Sequence, residues 1–504
     1  MNISELLSRN ARKYPLQEAV IINNERISHK QLNEYSNRLA SSLRELNIAA
    51  GDKVVLILPN CLEFVISYFA VQRLGAVVVP VHAKLSVIEL EYIISHCNAS
   101  AVIIHDSVKA SVAFAGHPTL ISIKIGKQEE GWRSFDYLLK QGDISEIACT
   151  LSEDDEAAIL YTSGTTGKPK GVLFTNRNIL TAAIMMCVEM SYKPESRILH
   201  MMPLSHSAPL HLFLVAGTYA GAAHVLSEVF TPELLLNLVQ KERITHFFGA
   251  PVAYLLTAKQ PGLAEYNLAS MKCWVYGGAP LPEKDVRFIQ DKLQTKDLYC
   301  VYGLTESGPT GMLLHPEDHD KKAGSIGKRG ALGTEFRIAD YSGYDVSVGE
   351  AGEILLYSEG NMKGYYGDPD ETKNAYFGKW IRTGDIGRMD RDGYVWIIDR
   401  KKDVIISGGV NVYPKEIEEE LLKHPSVIEA AVIGVPHPEW GETVKAVMVM
   451  SEKPENLQEE FQEFLYGKLA AFKLPRLYET CEALPRNATG KVLKQVLRKK
   501  QLEV

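Results

Sequence analysis

The residue types best suited to chemistry sit together at Tyr161-Thr162-Ser163-Gly164-Thr165-Thr166-Gly167-Lys168-Pro169-Lys170-Gly171. Three glycines, four serine and threonine hydroxyls and two lysines share this one stretch. Glycine lets a ligand approach backbone N–H groups, hydroxyls donate hydrogen bonds, and lysines bring positive charge. That combination suits a polyphosphate. It is not the Walker-type phosphate loop, which places four residues between its first glycine and a Gly-Lys pair followed by Ser or Thr. Here two residues separate Gly164 from Gly167, and Pro169 follows the lysine. A polar strand-to-helix turn would carry similar residues; the Lys-Pro-Lys-Gly ending favours phosphate.

Four further segments carry chemistry of the same kind. Tyr276-Gly277-Gly278-Ala279-Pro280 opens a predicted strand end into a turn where the backbone can lie flat against a ligand ring. Tyr302-Gly303-Leu304-Thr305-Glu306 supplies an aromatic face, a glycine, a hydroxyl and a carboxylate at a strand's carboxyl end, where α/β sheets bind ligands. Arg382-Thr383-Gly384-Asp385 places a carboxylate on a predicted turn, able to accept both hydroxyls of a ribose. Arg486-Asn487-Ala488-Thr489-Gly490-Lys491 sets a lysine just past a Thr-Gly turn. Each taken alone reads more simply as a turn or a solvated cation.

These segments need a scaffold, and the sequence predicts an α/β one. The run Ala157–Leu160 reads as a buried strand leading into the Gly/Thr segment. Ser28–Leu43 has helical spacing and a Ser28/Gln31 capping box; Asn60 and Glu63 suggest a second box before a helix over 64–74. With strands at 53–58 and 76–79, the order is β-α-β, hence a parallel sheet covered by helices. The pattern recurs as a helix over 232–243 and strands at 245–248, 273–276 and 297–301. Beyond about residue 325, short β segments and Gly/Asp turns take over, at 337–339, 352–357 and 393–398. The charged run Asp399–Asp403 marks a domain boundary, followed by an α+β pattern with helices over 414–424 and 457–470 and strands at 427–433 and 444–450.

Bulk properties exclude several classes. The 504 residues suffice for two to four domains, and 46% hydrophobic with 23% charged residues is ordinary for a globular protein. A net charge of -7 gives no pull toward nucleic acid or anionic membrane. Seven scattered cysteines without a CxxC pair argue against a zinc site or disulfide framework and fit a reducing, cytoplasmic setting. No secretion signal is visible, and no apolar run approaches the ~18 residues needed to span a membrane.

In this order, the Tyr161–Gly171, Gly277–Pro280, Tyr302–Glu306, Thr383–Asp385, Asp399-Arg400 and Thr489–Lys491 segments resemble the adenylate-forming superfamily of acyl-CoA synthetases, adenylation domains and luciferases. The resemblance runs from about Leu6 to Lys494. Glu359–Tyr366 and Gly408–Pro414 are most similar to a bacterial fatty acyl-CoA ligase. It implies a large N-terminal domain of packed sheets and helices with a distorted β subdomain over 1–399, a hinge at 400–402, and a small mobile α+β domain over 403–504. It also implies ATP, Mg²⁺ and CoA, and a two-step reaction through an acyl-adenylate.

Residue by residue, the resemblance assigns Thr162, Ser163, Gly164, Thr165, Thr166, Gly167 and Lys170 to the β- and γ-phosphates, and Gly278, Ala279, Pro280 and Tyr302 to the nucleotide, with Tyr302 stacking on adenine. Thr305 would touch the α-phosphate, Glu306 would bind Mg²⁺, Asp385 and Arg400 would grip the ribose, and Lys491 would bridge the reacting carboxylate and phosphate. His206, in Pro203-Leu204-Ser205-His206-Ser207, falls beside the carboxylate pocket, with Phe247, Gly277, Gly278 and Gly303 lining the acyl side. Amino-acid-activating relatives carry an Asp after this aromatic; Ser207 stands there instead. Lys402 is the expected hinge, where many relatives carry an acidic residue. Gly408 and Gly409 would line a pantetheine tunnel, and Trp440, Lys473 and Arg476 would meet CoA. The expected substrate is a medium- or long-chain fatty acid, with an aryl acid as alternative. A carrier-protein phosphopantetheine in place of CoA, and a homodimer, remain open.

Overall fold

The computed structural model describes residues 2–108, 120–127, 129–147, 151–162, 169–407, 410–486 and 492–499. They divide into two units, 1–336 with 356–382 and 337–355 with 383–504.

The first unit holds two large sheets. In the nine-stranded sheet, the strands Leu298–Tyr302, Cys273–Gly277, His246–Gly249, Arg197–His200, Ala223–Leu226 and Glu18–Ile22 are neighbours in that order and all parallel. Antiparallel strands close the edges, Met312–Leu314 and Arg329–Gly330 on one side and Glu25–Ser28 on the other. The eight-stranded sheet is built around Lys53–Ile57, parallel to Val77–Pro80 and Ala99–His105. These strands read as unbroken apolar runs because both faces are covered. The helix Leu62–Arg73 is buried all round and belongs to the same apolar core as strands of both sheets. The Ser28/Gln31 box caps the helix His29–Glu45 reciprocally, as its spacing predicts.

Two expectations and one alternative reading need correction. Asn60 and Glu63 form no capping box: the helix starts after Cys61 without a side-chain cap. The buried Asn60 amide instead donates to the carbonyls of His200, Met202 and Ser227, and its oxygen accepts from Leu204 N–H. Unpaired backbone groups in the core outcompete a local cap. The Gly/Thr segment is not a strand-to-helix turn. It joins Glu156–Thr162 to Lys170–Thr175 as antiparallel neighbours, with Tyr161 opposite Gly171 and Thr162 opposite Lys170. The helix expected over 457–470 ends at Leu465, two residues before Gly467 turns left-handed at φ 76°.

In the second unit a five-stranded sheet orders Val410–Val412, Ile405–Ser407, Gly441–Met450 and Val427–His437, with Leu477–Thr480 parallel to Gly441–Met450. Helices Pro414–Leu421 and Leu457–Leu465 cover it through Ile417, Leu421, Phe461 and Leu465. Strands Trp380–Met389 and Val395–Arg400 pair antiparallel.

Candidate active site

Parallel neighbours end on the same side of a sheet, so the nine-stranded sheet collects several predicted segments along one edge. Its register places Gly249 beside Tyr276 and Gly277 beside Val301, one residue before Tyr302. Gly277 is obligatory there: a Cβ would lie 2.7 Å from the Val301 carbonyl oxygen and 3.2 Å from the Phe248 ring. Gly278 then turns at φ 81°, which side-chain-bearing residues rarely adopt. Gly278 and Ala279 are exposed and Pro280 half-buried at this edge. Gly303 is equally constrained, since a Cβ would fall 2.3 Å from the Pro309 carbonyl oxygen. Tyr302 ends its strand with its side chain largely buried.

Alternation along His246–Gly249 separates Phe247, expected near the acyl chain, from its neighbour Phe248. Phe247 is sealed in the core, edge-on to Trp274 and tilted against Tyr254. Phe248 stacks on Phe213 at 4.9 Å and is the ring next to Gly277. Phe248, rather than Phe247, therefore shares the glycine-rich edge.

His206 precedes a π-helix, Ala208–Val215. Burial lowers its imidazole to about 4, and the nearby His82 ring, 5.5 Å away, adds to the shift. The ring is therefore neutral near pH 7. Ser207 is buried, and its hydroxyl lies 3.0 Å from the Thr305 hydroxyl. This contact ties the His206 segment to the Thr305-Glu306 segment.

Glu306 accepts a hydrogen bond from the Tyr365 hydroxyl through one carboxylate oxygen at 2.9 Å, and its backbone carbonyl accepts from Met362 N–H. Among the described residues, no donor reaches its second oxygen. Lys170 pairs with Glu371 and lies 5.2 Å from the centre of the Tyr365 ring. Tyr365 and Glu371 touch the predicted site residues Glu306 and Lys170, and the sequence spacing points to neither. Gly364-Tyr365-Tyr366 served there only as a mark of resemblance, and no local pattern reveals that Tyr365 pairs with Val172 across the ladder.

The second unit assembles two further groups. Asp385 sits in a strand, not on the expected turn, because the ladder with Val395–Arg400 places it directly opposite Arg400. The two side chains pair at 2.6 Å, with Asp385 buried and Arg400 nearly half exposed. Trp440 has two partners: His437 stacks on it at 4.2 Å, and the Arg476 guanidinium lies 3.4 Å from the ring centre. Lys473 is bound by both oxygens of Glu416. Lys402 is exposed in the turn that follows Val395–Arg400, while Lys401 pairs with Glu353 at 2.9 Å. Ser163, Gly164, Thr165, Thr166, Gly167, Gly408, Gly409 and Lys491 lie outside the described residues.

A family model described as AMP-binding enzyme matches residues 7–366, and its C-terminal-domain counterpart matches residues 416–491. The chain belongs to the AMP-binding enzyme family. This AMP-binding enzyme is 35% identical to the long-chain-fatty-acid–CoA ligase FadD13 of Mycobacterium tuberculosis, over 99% of this chain and 98% of that one. It is 33% identical to a feruloyl-CoA synthase of Amycolatopsis sp, over 98% and 97% of the two chains. Its fold is similar to that of ATP-bound MatB from Rhodopseudomonas palustris, with a TM-score of 0.88, 30% identity and 99% of each chain covered. Among the described residues, no helix is long and apolar enough to cross a membrane.

Proposed function

We propose that this enzyme activates a carboxylic acid with ATP and passes the acyl group to a thiol. In the first step a carboxylate oxygen attacks the α-phosphorus of ATP, giving acyl-adenylate and pyrophosphate. In the second, a thiolate attacks the acyl carbonyl and AMP leaves. The observation that carries this reading is the Ser207–Thr305 contact at 3.0 Å, which fastens the acid-side His206 segment to the nucleotide-side Thr305-Glu306 segment. Carboxylate and triphosphate are both negative, so the first step needs donors and cations where charge accumulates. A neutral His206 can donate a hydrogen bond but brings no charge. Thr162, Lys170 and Lys491 are the groups we assign to that task, with Lys491 at the bond being made.

Glu306 fits a hard divalent cation: one carboxylate oxygen is held by Tyr365, and no described donor occupies the other. Magnesium commonly takes one or two carboxylates and completes its shell with phosphate oxygens and water. Bound there, it would neutralise charge on the triphosphate. Asp385, held by Arg400, would accept from the ribose hydroxyls, and Tyr302 would pack against the base.

A fatty acid of medium or long chain is the acid we favour. The edge next to Gly277 offers Phe248 and Phe213, and Ser207 puts a hydroxyl where an amine-binding carboxylate would stand. The relatives act on both kinds of acid, so an aryl acid is the second reading. CoA is the favoured thiol, its nucleotide end meeting the Trp440–Arg476 stack and its pantetheine passing Gly408 and Gly409, after a rotation about Lys402. A reducing, cytosolic setting suits the free thiols of the described cysteines. A panel of fatty and aryl acids, each assayed for AMP release with CoA and with a phosphopantetheinylated carrier protein, tests the reading. Acid-dependent AMP release that requires free CoA supports it. Release with carrier protein alone rejects CoA, and a preference for aryl acids rejects the fatty-acid assignment.

A further inference from the structure

The segment from Met362 to Tyr366 is bonded on two sides. On one side Met362 N–H donates to the Glu306 carbonyl at 2.9 Å and the Tyr365 hydroxyl donates to the Glu306 carboxylate, also at 2.9 Å. On the other, Lys363 N–H donates to the Leu173 carbonyl and Tyr366 N–H to the Gly171 carbonyl, at 2.8 and 2.7 Å. Leu173 and Gly171 belong to the strand that leaves the Gly/Thr loop. One short segment thus keys the carboxylate and the exit of the phosphate loop to each other.

Tyr365 is itself well fixed. Its N–H donates to the Thr372 hydroxyl at 2.8 Å, and it stands opposite Val172 in the ladder. A hydrogen bond from so fixed a donor restricts the rotamers of the Glu306 side chain before any ligand arrives. A ligand that needs this carboxylate then avoids that ordering cost. Partners of metal-binding carboxylates act in this way, setting the direction of the remaining oxygen and the strength of binding.

We propose that the Tyr365 hydroxyl is a positioning group for Glu306, holding one carboxylate oxygen so that the other faces a divalent cation carried by the triphosphate. The proposal rests on Glu306 as the metal carboxylate, and Tyr365 touches neither metal nor substrate. It acts through Glu306 alone.

The test is Mn²⁺ binding, followed by electron paramagnetic resonance, to the full-length enzyme with a non-hydrolysable ATP analogue. Three variants are compared with the parent. Tyr365→Phe deletes only the hydroxyl and is expected to weaken Mn²⁺ binding about ten-fold, the scale of a hydrogen bond to a charged group. Its Mg²⁺ requirement in adenylation should rise in step. Thr372→Val removes one of the bonds that fix Tyr365 but keeps its hydroxyl, and should weaken Mn²⁺ binding only about two- to three-fold, clearly less than Tyr365→Phe. Glu306→Gln should abolish most of the binding. Parent-like Mn²⁺ affinity in Tyr365→Phe, or equal weakening in Thr372→Val, overturns the positioning role. Parent-like affinity in Glu306→Gln overturns the metal assignment itself. Thermal melting of each variant shows that the binding change is read on folded protein.

Discussion

The protonation of His206 makes a sharp prediction. An ordinary imidazole titrates near 6.5, whereas burial places His206 at about 4. With an ordinary value, the neutral fraction would rise about ten-fold between roughly pH 5.5 and 7.5. With a value of about 4 it rises only ~3% over the same span, because the ring is already neutral. The perturbation is His206→Asn, which keeps a polar side chain and removes the titration. The assay is kcat/KM for the acid in ATP–pyrophosphate exchange, which reports groups of the free enzyme. The ratio of parent to variant should stay flat across the span, even if the variant is slower throughout. A ratio that climbs about ten-fold with a midpoint near 6.5 would refute the burial argument.

Three further outcomes are expected. Lys491→Ala should cripple acyl-adenylate formation, by about 10²–10³ for the loss of one stabilising contact, while sparing thioester formation from supplied acyl-adenylate; equal loss in both halves contradicts its role. His211 is fully buried against Phe174, with no partner for either ring nitrogen among the described residues, and burial lowers it to about 3. The unfolded imidazole takes up its proton first as pH falls below about 6.5, so this group costs about 2 kcal/mol of stability between pH 7 and 5; His211→Leu should flatten that part of the pH–stability curve, measured by denaturant unfolding, and an unchanged slope contradicts it. Arg476→Ala should raise the KM for CoA and leave that for ATP unchanged, since it removes the cation stacked on Trp440; an unchanged CoA dependence discards the groove.

Much of the scaffold was readable because local rules and burial agree. Ser28 caps a helix with Gln31 where the spacing says it should, and Leu298–Tyr302 and Cys273–Gly277 are apolar runs buried on both faces. Long-range demand overrides local preference at two positions. Asn60 is spent on three carbonyls from distant segments, and Asp385 lies in a ladder although its Thr-Gly-Asp setting reads as a turn. The chemical segments were legible as residue types, yet their pairings were not. Nothing near Glu306 in sequence points to Tyr365, and nothing near Lys170 points to Glu371, because those contacts exist only once the chain closes Gly364–Tyr365 onto Lys170–Thr175. Phe247 and Phe248 are indistinguishable by type, and only the strand's alternation separates core from edge.

Adenylation requires that a carboxylate oxygen attack the α-phosphorus of ATP. A fatty acid whose carboxylate carries isotopically heavy oxygen tests this directly, with the AMP and pyrophosphate products analysed by mass spectrometry after a turnover with CoA. Adenylation followed by thiolysis leaves one heavy oxygen in AMP and none in pyrophosphate. Unlabelled AMP, or label in inorganic phosphate, would contradict the account.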